Sequence, residues 1–391
     1  MLVGAGAPGC DLDRMGASSS VMASVDRGRR KRVIRVIQAV LSGLVMVAIF
    51  GLILPRFASY SDVWNTITDL TWIEMSSLIA ATVFNLFTYW WQMQAAMPGL
   101  TLGQAAVSNQ TSTTVSNLVP GAGVVATGLA YGMFHSWGFT ASEVALLAST
   151  TGIWNMFLKL GLPIAAVALL AIGGQATTAL LVPALIGLAV LVGSVVVFVM
   201  VLWKKSLARA IGDWLGRAWS WIRLLFRKPP VGTWGEGAVR FRKQTIKLVA
   251  KRWPALTITT VGSHLALWFV LLLSLRHVGV SAHEVSTIQV LAVFAFARLV
   301  SAIPITPGGV GVVELTLIGG LYAAGRSHTD VPLDLFKTQV TAAALLFRTL
   351  TYGIQIPLGG FTYMIWQRKK SWRKPQPETP RSSTVPAGFP T

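Results

Sequence analysis

The stretch ARLVSAIPITPGGVGVVELTLIGGL (297–321) decides how this chain is read. Its middle, IPITPGGVGVVE (303–314), sets two prolines, three glycines and a glutamate inside an otherwise apolar run. Glycines accept positive φ and allow a tight reversal. Pro307 ends one limb and removes a backbone donor that lipid cannot satisfy. A helix restarting near Val310 would present free N–H groups and the positive end of its dipole, which suits phosphate. Glu314 follows a turn further in, Arg298 precedes the bend, and Arg348 comes from the last apolar segment. Each charge costs about 2.5–3.5 kcal/mol at the centre of a membrane helix, so such groups pair or line a wet cavity. The expectation is a polar, net-positive nook in hydrocarbon, sized for a phospholipid headgroup whose tails stay in lipid. The alternative is that Glu314 pairs with an arginine only to hold the bend.

Working outward, the 391 residues are 53% hydrophobic and 12% charged. Soluble domains carry about twice that charge. Several apolar runs approach the roughly 20 residues that span a bilayer core. Their lack of alternating polarity excludes a β-barrel, which leaves helices. The net charge of +19 is not a nucleic-acid signature. Seven Lys/Arg lie in 1–35, thirteen in 204–252 and six in 367–391, each block beside an apolar segment. That is the mark of a cytoplasmic face. A single cysteine, Cys10, excludes an intrachain disulfide and a Cys-based metal site.

The predicted order begins with a disordered basic cytoplasmic tail (1–32). A first membrane half (33–203) holds spans at 36–54, 73–97, 143–172 and 177–203, with 56–72 as an outside loop. The uncharged, Ser/Thr/Asn/Gly-rich stretch 101–138 enters and leaves on one side. A basic cytoplasmic linker (204–252) includes an interfacial helix, with Leu207, Ile211, Trp214, Ala218, Trp221 and Leu225 at helical spacing. The second half (253–367) spans at 255–276 and 335–366 around the bent segment 284–325, and a disordered basic tail (368–391) follows. The outside segments then hold four basic and six acidic residues, as the positive-inside rule expects.

VSNLVPGAGVVATGLAYGMFHSWG (115–138) aligns with VSAIPITPGGVGVVELTLIGGLYAAG (300–325). Pro120 matches Pro307, and a Gly-rich turn, a Val pair and a small-residue helix follow each. Lys159 lies 39 residues after Pro120 and Arg348 lies 41 after Pro307. Paired Gly/Pro-broken segments of opposite orientation point to a transporter site near the midplane. The predicted fold class is therefore an all-α polytopic membrane protein. It has about six to eight transmembrane helices and two Pro/Gly-broken re-entrant hairpins in an inverted repeat.

These residues resemble the lysylphosphatidylglycerol synthase transmembrane-region family, the flippase-like membrane module of bacterial multiple peptide resistance factors. The motif is an Arg, a Pro-x-x-Pro-Gly-Gly-x-Gly-x-x-Glu run, and a later Arg before a Gly-containing helix end. It falls on Arg298, Pro304, Pro307, Gly308, Gly309, Gly311, Glu314, Arg348, Gly359 and Gly360. SNLVPGAG (116–123) is similar to the family's weaker Asn…Pro-Gly element. The resemblance covers about residues 35–368, and with 25 residues after Trp366 no soluble aminoacyl-transferase domain is expected. It implies a lipid-handling domain of the plasma membrane, with flipping of charged or glycosylated lipids as the attributed role, while the basic blocks place both termini in the cytoplasm.

The residues expected to meet substrate are Arg298, Glu314 and Arg348, with Thr306, Pro307, Gly308, Gly309 and Gly311 of the bend. Asn117, Pro120, Gly121 and Lys159 are their partners from the first half. The substrate class is a membrane phospholipid or lipid-linked glycan. No GxxxxGK[ST] occurs, so ATP is not hydrolysed through a P-loop. HEVST (283–287) lacks the second histidine of a zinc protease, there is no GxSxG elbow, and no cofactor is expected. Two further readings stand beside flipping: a scaffold docking a soluble lipid-modifying enzyme, and a membrane enzyme acting on a lipid headgroup.

Overall fold

The computed structural model describes residues 55, 59–118, 123–174, 178–225, 232–302 and 306–372. The expected span at 36–54, the N-terminal tail, residues 373–391, and Pro120 and Gly121 lie outside these. Among the described residues every regular element is helical. A short helix α1 (Tyr60–Thr68) stands where an outside loop was expected and meets α2 (Trp72–Ala96) at 95°. The first broken segment is α3 (Leu102–Leu118) and α4 (Gly123–Ser136), followed by α5 (Ala141–Ile172) and α6 (Thr178–Trp203). The interfacial helix is α7 (Lys205–Leu225). Next come α8 (Gly235–His277), α9 (Thr287–Val300), α10 (Val312–Gly325), α11 (Leu333–Arg348) and α12 (Gln355–Arg368).

Local chemistry sets several helix starts. Thr71 with Glu74, Thr140 with Glu143, and Ser286 with Gln289 each form a reciprocal capping box at the head of α2, α5 and α9. By length and composition α5, the Leu185–Trp203 part of α6 and α8 can each cross a membrane, and α1–α2 makes a fourth if the bent pair is one span. Of the six expected spans, 36–54 lies outside the described residues and 335–366 is divided. At 14 residues each, α9 and α10 are about 21 Å long, short of the roughly 30 Å core. The expected span 335–366 is broken by a five-residue π-turn, Thr349–Gly353. The boundary expected at 252/253 falls inside α8, which runs unbroken through Pro254.

At the centre α2 packs along α8, flanked by α5 and α11. The seam between them is polar. Asn85 Nδ2 donates to Ser263 O (2.9 Å), Gln92 Nε2 to Thr260 Oγ1 (2.6 Å) and, from α5, Trp154 Nε1 to Thr257 Oγ1 (3.0 Å). Such interhelical bonds contribute about 0.6–2 kcal/mol each in lipid. Leu267, Val270, Leu271 and Leu275 of α8 bury against Phe294, Leu317, Leu321 and Phe336. On the outside, Val182, Leu185, Ile186 and Val197 of α6 are exposed, as lipid contact requires.

The two broken pairs pack reciprocally. Within each, the limbs pack on each other: α3 on α4, α9 on α10. Then α3 lies on α12, the second part of the segment α11–α12 after the second pair, and α9 lies on α5, the helix after the first.

Candidate functional site

The bend after α9 is built from its glycines. Gly308, Gly309 and Gly311 have φ of 59°, 69° and 86°, all in the left-handed region. Pro307 opens the one-turn helix Pro307–Gly309, Thr306 Oγ1 donates to Val310 O at 2.8 Å, and Gly309 N donates to Thr306 O at 3.0 Å. A Cβ on Gly308 would overlap the Tyr352 ring, so close approach requires glycine here as well.

Glu314 is spent inside this bend. Its Oε2 accepts from Gly311 N at 2.6 Å and its Oε1 from Arg348 Nε at 2.7 Å. Its side chain is 4% exposed. The head of α10, expected to be open to phosphate, is therefore occupied by the helix's own carboxylate. Arg348 also donates from Nη2 to Gly308 O at 3.1 Å and lies 4.5 Å from the Tyr352 ring centroid. Tyr352 Oη in turn donates to Asn117 O at 3.0 Å. Asn117 thus touches the second bend through its carbonyl and the tyrosine. The partner of Glu314 is Arg348, not Arg298.

Arg298 is left with a different environment. Its Nε is buried and has no partner among the described residues. With Arg348, Gly308, Ser301 and Thr351 it lines a cavity of about 80 Å³. The positive field of Arg298 acts on Lys159 of α5 and His264 of α8, and Lys159 acts on His264. His264 is fully buried, with Nδ1 3.1 Å from Thr260 O and Nε2 unpartnered among the described residues. Two half-buried cations, Lys159 and Arg298, and the buried imidazole of His264 therefore adjoin from three helices, and Glu314, the buried carboxylate of the adjoining bend, is already paired with Arg348. Such a zone suits an anion.

Sequence reasoning placed Lys159, Arg298, Glu314 and Arg348 but missed His264 and Tyr352. Both carried a signal. His264 is an ionisable residue inside the apolar part of α8, one turn after Thr260, and Tyr352 lies one turn after Arg348. Among the described residues no three His, Cys, Asp or Glu side chains come together to hold a metal ion.

Outward apolar helices around a half-buried basic zone define a helical membrane domain. The chain belongs to the lysylphosphatidylglycerol synthase TM region family, whose model matches residues 36–359. This family is a membrane domain associated with lipid headgroup handling. No curated protein shows a significant similarity to the chain.

Proposed function

We propose that this protein is a lipid translocase of the cytoplasmic membrane, with both termini in the cytoplasm. It carries a phosphate-bearing amino- or glycolipid between leaflets without hydrolysing ATP itself. The observation that carries this reading is the unpartnered, buried guanidinium nitrogen of Arg298 beside Lys159, His264 and a small cavity. A buried N–H without a partner is costly, and a lipid phosphate would supply the missing acceptor. The short limbs of each broken pair, and their reciprocal packing on the segment after the other pair, favour an inverted repeat with re-entrant hairpins meeting near mid-bilayer. Glu314 and Arg348 hold the second bend, and the mobile anion is handled by Arg298 and Lys159.

The test is reconstitution in liposomes carrying tail-labelled anionic lipid, with dithionite quenching to count the outer leaflet. Arg298→Ala is expected to slow translocation at least tenfold while leaving the unfolding midpoint unchanged or raised, because it removes an unpartnered buried N–H. Equal translocation by wild type and Arg298→Ala would overturn the proposal.

A further inference from the structure

A groove lies away from the basic zone's arginines, on the first broken segment. It has a volume of about 520 Å³, inside the roughly 300–1,000 Å³ range of ligand sites. Its wall from α3 is Asn109, Ser112, Thr113 and Ser116. These recur at i, i+3, i+4 and i+7, so one polar stripe of the helix faces the groove. The neighbouring Thr111 and Thr114 face the other way, onto Thr362 and Gln355 O of α12. The stripe is therefore not needed to hold the helices together. Ser112 Oγ is buried there with no partner among the described residues. Opposite stand Gln92 of α2 and Thr151 and Asn155 of α5.

None of the lining side chains carries a charge. The inner end of the groove nevertheless meets the basic zone. Lys159 follows Asn155 by one turn on α5. On α8, His264 follows by one turn Thr260, the partner of Gln92. One turn of four residues is a rise of about 6 Å. An uncharged hydrogen-bonding wall thus continues, within about 6 Å, into a site for an anion.

We infer that this groove recognises the uncharged, hydroxyl-rich portion of a headgroup, a sugar or polyol ester-linked to the phosphate that Lys159 and Arg298 hold. Hydroxyls donate and accept at once, matching the amides and hydroxyls of the lining, and the apolar side chains among them, Met93, Phe134 and Leu147, suit the C–H faces of a ring. A free amine would find no carboxylate there. The inference rests on the translocase reading for its phosphate, so binding and transport are measured separately.

Purified protein in detergent micelles is offered equal phosphatidylinositol, phosphatidic acid and lysyl-phosphatidylglycerol, and native mass spectrometry counts what is retained. Wild type is expected to retain phosphatidylinositol about tenfold over each of the others, the equivalent of one to three net hydrogen bonds. In Ser112→Ala and Thr113→Val, which remove single hydroxyls and keep circular dichroism unchanged, that ratio falls about fivefold. Excess soluble inositol 1-phosphate displaces the bound lipid. A wild-type ratio near one, or no displacement by inositol 1-phosphate, overturns the inference. Selective binding without movement of any lipid in liposomes leaves the inference standing and removes the translocase reading. Movement without headgroup preference does the reverse.

Discussion

Removing the guanidinium of Arg348 tests whether the second bend is held by its buried ion pair. Arg348→Ala strips Glu314 Oε1 of its partner and Gly308 O of a donor, and empties the face of Tyr352. The Glu314 carboxylate, 4% exposed, keeps only the Gly311 amide. An uncompensated buried charge of this kind costs about 3–5 kcal/mol. Glu314→Gln is gentler. The amide oxygen still accepts from Gly311 N, and Arg348, at 14% exposed, keeps Gly308 O and the Tyr352 ring. Its expected cost is about 1–3 kcal/mol. The double variant Glu314→Gln/Arg348→Ala leaves neither charge stranded, so it should cost less than the sum by about 1–3 kcal/mol. Equilibrium unfolding in mixed micelles with rising SDS, followed by circular dichroism, gives all three values. The reasoning is refuted if Glu314→Gln costs as much as Arg348→Ala, or if the two costs add to within about 0.5 kcal/mol.

Gly308→Ala meets a left-handed backbone (φ 59°) and the face of the Tyr352 ring. It should destabilise by more than the roughly 1–2 kcal/mol of the backbone alone, and combining it with Tyr352→Ala should recover the steric part in the same unfolding assay. Gly359→Ala would drive its Cβ into Thr114 Oγ1 and to 2.6 Å from Gln110 O. The paired substitutions Thr111→Cys and Thr362→Cys replace two threonines whose hydroxyls are 3.1 Å apart. They should cross-link in a Cys10→Ser background and fail to once Gly359→Ala is added. Thr114→Ala should rescue this only in part, because Gln110 O is backbone. In the loop between α8 and α9, burial works against charge on Glu284, yet bonds from Ser281 N and Thr329 Oγ1 outweigh it and hold its pKa below the usual carboxylate value. A depressed folded pKa means stability present above about pH 4.3 and lost as pH falls through the folded value. Amide exchange around Ser281, relative to the intrinsic rate, should therefore quicken in acid, and Glu284→Gln should remove that dependence.

What the sequence made legible follows from the strength of each local signal. Long apolar runs such as 143–172 and the amphipathic spacing of 207–225 return as α5 and α7 almost to the residue, because hydropathy and period dominate there. The bend at 306–311 was legible because only glycine tolerates its dihedrals. The basic-to-apolar change at 252/253 carries no helix end, because α8 runs on through Pro254, which removes one hydrogen bond without ending the helix. The π-turn at Thr349–Gly353 was hidden in an apolar run. There the hydroxyls of Thr349 and Thr351 bond back to Leu345 O and Phe347 O and compete with the regular ladder. Which arginine Glu314 would meet was a tertiary question. Both arginines were within reach of the sequence argument, and only the packing of α10 on α11 chooses Arg348.

The choice of Arg348 also explains why the polar chemistry is divided unequally between the halves. Set against each other on their Val pairs, Val124–Val125 and Val312–Val313, the two broken segments place Ala126 where Glu314 stands. In the second half the carboxylate caps its helix, takes Arg348 and leaves a cavity of about 80 Å³. In the first half Ala126 offers no acid, and it lines the groove of about 520 Å³. Lys159, within one residue of the offset of Arg348 on that alignment, meets no such acid among the described residues and shares the field of Arg298 across the α5–α9 contact. The second bend is thus held by an ion pair, while the groove of the first half has no acid among its lining residues and ends near Lys159. Under the proposed translocase reading, a carboxylate at position 126 would stand where it could engage Lys159, and the alanine found there leaves that lysine for a phosphate.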